Sequence, residues 1–186
     1  MGNYTTQNDL LLTKLLEFYR KDNNLDKMLR IINGESEISL RIVDWFATNY
    51  AKKYYTVYDI RAEHEIKSRR FKVYNDYKLK LKAYSKKRFD PFCRWERINI
   101  PYGDDKYIQT TIGQLNFFKW ALENKVIEYI EENYKEIERD MNNRNSTSKK
   151  KEKNSKNITR KKREELSISA SKSIKREEVE IIVKFD

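Results

Sequence analysis

Apolar residues recur at helical intervals over the first fifty positions. Leu11, Leu12, Leu15, Leu16 and Tyr19 predict a helix over 9–20, with Asn8 as its N-cap. Leu25, Met28, Leu29 and Ile32 stand at i, i+3, i+4 and i+7 and predict a second, shorter helix. Gly34 ends it, because a residue without Cβ enters the left-handed region without strain. Ser36 is placed to cap a third helix with Leu40, Val43, Phe46, Ala47 and Tyr50 on its buried face, and Ile42 and Trp45 alongside.

The pattern changes at Tyr54. Tyr54-Tyr55-Thr56-Val57-Tyr58 is rich in β-formers and predicts a strand, as does Phe71-Lys72-Val73-Tyr74 after a polar stretch at 61–70. Tyr77, Leu81 and Tyr84 then mark one face of a basic helix that Asp90-Pro91 stops, since the residue before proline avoids the helical region. Ile98–Ile100 and Tyr107–Gln109 flank a turn-rich segment and predict a hairpin. Thr111 and Gln114 have the spacing of a capping box. The helix they open carries Leu115, Phe118 and Leu122, with Phe117 and Trp120 adding bulk. A last helix follows Asn124 with Val126, Ile127, Ile130, Tyr134, Ile137 and Met141 inward and Glu128, Glu131, Glu132, Glu136 and Glu138 outward.

From Asn142 the chain turns rich in Asn, Ser and Lys, and such a stretch buries too little apolar area to offset its ordering entropy. At its far end Val179, Ile181, Val183 and Phe185 alternate with other residues in the manner of a strand. A disordered linker of some 35 residues has a mean span of roughly 30–35 Å, so this strand can fold back or reach a partner. The predicted organisation is a folded domain over 1–142, a disordered linker over 143–175 and a strand-like motif over 176–186. The fold class is α+β: a mostly helical single domain with a small antiparallel sheet, then a disordered basic tail with that short strand-like motif at its end.

Charge changes the picture most, because it is sorted into blocks. Residues 1–50 carry a net −1, residues 51–100 a net +9, residues 101–143 a net −4 and residues 144–186 a net +7. Basic blocks attract polyanions through Coulomb attraction and counterion release. Composition excludes much else. One cysteine, Cys93, rules out an intramolecular disulfide and suits a reducing compartment, and with one histidine, His64, it cannot build a zinc-finger site. There is no apolar run of membrane-spanning length, no signal peptide at Met1-Gly2-Asn3-Tyr4, and no Walker or Rossmann fingerprint. Cys93 has three arginines near it in sequence, but nothing brings His64 to it as a base, so a buried structural thiol is the plainer reading. The expectation is a non-enzymatic protein with no cofactor, no metal and no small-molecule substrate.

The candidate nucleic-acid contacts are Lys67, Arg69, Arg70, Lys72, Lys78, Lys82, Lys86, Lys87, Arg88, Arg94 and Arg97. Lysines at 78, 82 and 86 fall one helical turn apart, roughly 6 Å, which is a spacing suited to phosphates. Interleaved Tyr74, Tyr77, Tyr84, Phe89 and Trp95 could stack on bases if exposed. The plainer alternative is a solvated helix face whose aromatics belong to the core. In the tail, Lys149, Lys150 and Lys151 and then Arg160, Lys161, Lys162 and Arg163 resemble a bipartite import signal or a nucleic-acid arm. The strand residues Val179, Ile181, Val183 and Phe185 suit pairing with an exposed sheet edge, in a partner or in this chain.

Three segments resemble an uncharacterised protein family of giant (nucleocytoplasmic large) DNA viruses: Ser39–Tyr50 (SLRIVDWFATNY), Leu81–Arg94 (LKAYSKKRFDPFCR) and Thr110–Ala121 (TTIGQLNFFKWA). The resemblance spans about residues 36–142. It implies a viral origin and a setting in the host cytoplasm, at the virus factory, or in the virion, with the nucleus as a further option. It carries no assigned activity, so no functional residue transfers. The leading expectation is non-specific nucleic-acid binding through the central basic surface and the tail. The alternative is a protein–protein adaptor, or a virion or factory component, that docks through its C-terminal strand.

Overall fold

The computed structural model describes residues 6–61, 68–102, 106–154 and 175–178. Helix α1, Gln7–Tyr19, starts earlier than the apolar pattern suggests because Thr6, not Asn8, caps it. Thr6 Oγ1 accepts the Asp9 amide at 3.3 Å and the Asp9 carboxylate accepts the Thr6 amide at 2.9 Å, so two amides without helical partners are satisfied reciprocally. Helix α2, Asn24–Ile32, ends ahead of Gly34, which takes φ +76° as anticipated.

Helix α3, Leu40–Trp45, is capped by Ser39 rather than Ser36, whose hydroxyl instead accepts the Ile38 amide. It runs into a π-helical segment, Phe46–Tyr50, and a last turn α4, Ala51–Lys53. The Ala51 amide reaches five residues back to Phe46, and the Thr48 hydroxyl donates to the Asp44 carbonyl at 2.7 Å. Such a hydroxyl competes for a carbonyl of the helical ladder and widens the turn.

Tyr54 and Tyr55 form a turn, not the strand their β-propensity predicts. The Tyr54 ring lies 4.5 Å from Tyr50, and the Thr56 amide closes back onto Ala51, so packing onto the helix overrides propensity. Strand β1 is therefore Val57–Ile60, paired antiparallel with β2, Arg69–Lys72. The segment at 71–74 is also divided: Val73 opens helix α5, Val73–Phe89. Strands β3, Arg97–Pro101, and β4, Lys106–Thr111, make the anticipated hairpin. Helix α6, Ile112–Glu123, follows, then α7, Val126–Glu132, and α8, Tyr134–Asn154. The single last helix of the sequence pattern is thus two, broken where the Asn133 side-chain amide takes the Tyr129 carbonyl.

Helix α6 is the centre of the core. Leu115, Phe117, Phe118, Trp120 and Ala121 are all buried, and α5, α1, α7 and β4 pack around them. At its N-terminus Thr111 Oγ1 accepts the Gln114 amide, while Gln114 Oε1 accepts the Thr110 hydroxyl. Gly113 lets α6 lie against the end of α5: a Cβ there would stand 2.8 Å from the Asp90 carbonyl oxygen. Tyr77, Phe89, Phe117 and Trp120 form an aromatic cluster between the two helices.

The fold class is α+β, mostly helical, with two small antiparallel sheets where the sequence suggested one. Two boundaries differ from the apolar pattern. Helix α8 continues to Asn154, well past its buried residues Ile137 and Met141. A short strand β5, Lys175–Glu178, pairs antiparallel with β4 of the same chain, so the second sheet runs β3-β4-β5. The alternating residues Val179, Ile181, Val183 and Phe185 lie outside the described residues. Among the described residues no helix is long and apolar enough to cross a membrane.

Candidate functional site

The central cations are divided by the elements that carry them. On β2, Arg69 shares a face with buried Phe71, and its guanidinium lies 5.8 Å from that ring and donates to Asn124 Oδ1 at 3.1 Å. Arg70 and Lys72 occupy the other, exposed face. On α5, Lys78 and Lys82 are exposed one turn apart. Lys86 does not continue their row. Ser85 has φ +64° and ψ 167°, a conformation that belongs to glycine, and it kinks the helix. Lys86, Lys87 and Arg88 start afresh beyond it. Lys87 Nζ sits 4.2 Å over the exposed Trp95 ring, and Arg88 donates to Gln7 on α1. Arg94 is exposed, and Arg97 donates to Gln109 across the hairpin at 2.9 Å.

Charge on this surface is uncompensated at close range. Among the described residues, Lys78, Lys82, Lys86, Lys87 and Arg94 form no ion pair, while Asp140 of α8 pairs with Lys53 and Arg144. The interleaved aromatics are mostly structural. Tyr77 and Phe89 are buried and Tyr74 and Tyr84 half-buried, which leaves Trp95 as the exposed ring of that set. Lys149, Lys150 and Lys151 fall on the backbone of α8. Lys67, Arg160, Lys161, Lys162 and Arg163 lie outside the described residues.

A second constellation stands where the π-helical segment meets α8. Its centre is Asp140, 7% exposed. One carboxylate oxygen accepts from Lys53 at 2.8 Å and the Tyr54 hydroxyl at 3.2 Å, and the other accepts from Trp45 Nε1 at 3.2 Å and forms an ion pair with Arg144 Nε at 3.3 Å. Burial pushes the Asp140 carboxyl up, but the Lys53 and Trp45 hydrogen bonds, with the charges of Arg144 and Lys53, outweigh it and hold its pKa below the usual value. The Tyr50 hydroxyl donates to Glu136 at 3.2 Å. Burial first, and then Glu136, push the Tyr50 pKa up to about 12, so it stays a neutral donor. All of these residues but Trp45 border an open cavity of about 700 Å³ that also takes in Tyr55, Tyr129 and Arg139. Arg139 is exposed.

Asp140→Asn is expected to cost about 1–3 kcal/mol, because it leaves Lys53 and Arg144 without their shared counter-charge. A fall in the urea midpoint at pH 7 measures it. The depressed pKa fixes the sign with pH. The contribution is present above the unfolded carboxylate pKa, near 4, and is lost as pH falls through the lower folded value, so the variant and the native chain converge in acid.

Sequence reasoning missed Lys53, Tyr54, Tyr55, Arg139, Asp140 and Arg144 because it read Tyr54–Tyr58 as a strand and the outer side of α8 as plain acidic surface. A helical reading carried through Tyr54 would have put Tyr50, Lys53 and Tyr54 on one face at i, i+3 and i+4.

Comparison with known proteins adds a lineage. A family model described as a family of unknown function, DUF7197, matches residues 2–184. The chain is 44% identical over 155 residues to the uncharacterized protein L507 of Acanthamoeba polyphaga mimivirus, which covers 80% of this chain. The match spans 58% of that relative's length. No solved structure matches.

Proposed function

The chain belongs to the DUF7197 family of unknown function, with a relative in a giant virus, and from that premise we propose that it is a nucleic-acid-associated viral protein that binds polyanion without catalysis. The supporting observation is the exposed, unpaired set Lys78, Lys82, Lys86, Lys87 and Arg94 along α5 and the segment after it. The twelve residues of α5 before the Ser85 kink extend over about 18 Å. Cations over that length can follow a phosphate backbone, and each neutralised phosphate releases a condensed counterion. The Ser85 kink divides them into two groups, which suits a flexible or variably grooved partner better than one fixed register. Trp95, held under Lys87, adds an exposed ring at the far group. The basic residues 149–151 and 160–163 would add non-specific affinity by avidity. Such a protein works where viral nucleic acid is handled, in the host cytoplasm or in the particle.

The test is a salt titration of binding to a labelled duplex. Five phosphate contacts give a log–log slope of roughly −4 to −5. Changing Lys78, Lys82, Lys86 and Lys87 together to Gln is expected to flatten that slope by about 3–4 and to weaken binding by roughly a hundredfold at moderate salt. A slope unchanged by the four substitutions would remove this surface from the interaction.

A further inference from the structure

The most exposed aromatic side chain of the described residues stands apart from the lysine surface: Tyr55, 85% exposed. Its backbone is left-handed, with φ +50°. Bulky residues rarely adopt that conformation, and it persists where the surroundings over-determine it. Here they do. The Tyr54 amide is bonded to the Tyr50 carbonyl, the Thr56 amide to Ala51, and the Thr56 carbonyl accepts from Val73, so the chain is pinned on both sides of Tyr55. The ring is thus held out from the surface on a rigid turn.

Concave surface lies on either side of it. One side is the cavity of about 700 Å³ with Lys53, Arg139 and Arg144. The other is a smaller cavity of about 280 Å³ bordered by Lys52, Lys72, Tyr74 and Asn75. Tyr55, Thr56 and Val57 border both. The smaller cavity has no acidic residue in its lining, and the larger has two acids against three cations. Tyr54, 51% exposed, stands beside Tyr55. An exposed ring on a pinned backbone between two positively biased hollows is the arrangement that takes a base on its face and the flanking phosphates on the cations.

We infer that the Tyr54–Tyr55 turn and its two flanking hollows bind an unpaired nucleotide strand, with one base stacked on Tyr55 and its neighbouring phosphates held by Arg139 and Lys53 on one side and by Lys52 and Lys72 on the other. The inference rests on the polyanion reading above and narrows it. A duplex keeps its base faces inside the stack, whereas a single strand splays them out to an aromatic platform. The α5 lysines meet either form, and Tyr55 meets the unpaired one.

Fluorescence anisotropy with a twelve-residue oligothymidylate and a duplex of equal length, on the full chain at one salt concentration, tests this. Tyr55→Asn removes the ring and keeps a residue that tolerates the left-handed backbone. It is expected to weaken single-strand binding by roughly 5- to 100-fold and to leave duplex binding within about twofold, while Tyr55→Phe binds as the native chain does. An unchanged thermal melt shows that the variant is folded. Single-strand binding that survives Tyr55→Asn intact overturns the inference and leaves the polyanion reading in place. Native protein that binds neither form removes both. Displacement of the strand by micromolar adenosine monophosphate would assign the hollow to a free nucleotide and overturn the strand.

Discussion

Phe89→Ala is expected to lower stability by about 3–5 kcal/mol, the range for removing a buried aromatic ring and leaving a cavity. Phe89 has no exposed surface and lies 5.8–6.1 Å from the rings of Tyr77, Tyr84, Phe117 and Trp120. It is the last residue of α5, and Gly113 leaves the neighbouring backbone no slack to collapse into the gap. For a chain of this length the melting temperature falls by roughly 10–15 °C, measured by circular dichroism. Phe89→Leu keeps most of the volume and should lose less than half as much. A loss below about 1 kcal/mol for the alanine variant would mean that the end of α5 is not seated on α6.

The second large effect depends on pH. Asp44, on α3, is pushed up to about 7 from 3.8, first by burial and then by the charge of Asp90. The folded protein therefore holds this proton more tightly than the unfolded chain. Its stabilising contribution is complete below pH 4 and is lost as pH rises through about 7. Over that window the native chain should lose up to about 4 kcal/mol, because each tenfold difference in proton affinity between the folded and unfolded chain is worth about 1.4 kcal/mol. Asp44→Asn is expected to flatten the profile and to be the more stable form at pH 8. Urea unfolding at pH 5 and pH 8 reads both effects. A native chain equally stable at the two values would show that Asp44 ionises without cost. Asp140 acts in the opposite sense and in a lower window, so the two carboxylates can be told apart.

Periodicity made the helices legible. The apolar residues at 11–19, 25–32, 40–50 and 126–141 are those the core buries or half-buries, because a 3.6-residue repeat is a direct record of which face is inward. The hairpin at 97–111 was equally plain. What failed was propensity where packing decides. Tyr54 and Tyr55 read as strand, yet stacking on Tyr50 and the bond from Thr56 to Ala51 make them a turn. The row of lysines was legible as charge but not as geometry, since no residue type announces a kink at a serine. The site around Asp140 joins residues 86–95 positions apart, and one sequence holds no record of such pairing.

The pairing of β5 with β4 makes β4 the inner strand of its sheet. The backbone groups of residues 106–109 that would otherwise stand open as a template for another chain are occupied from within. A strand from a partner would therefore have to displace β5 or add to an outer strand of that sheet.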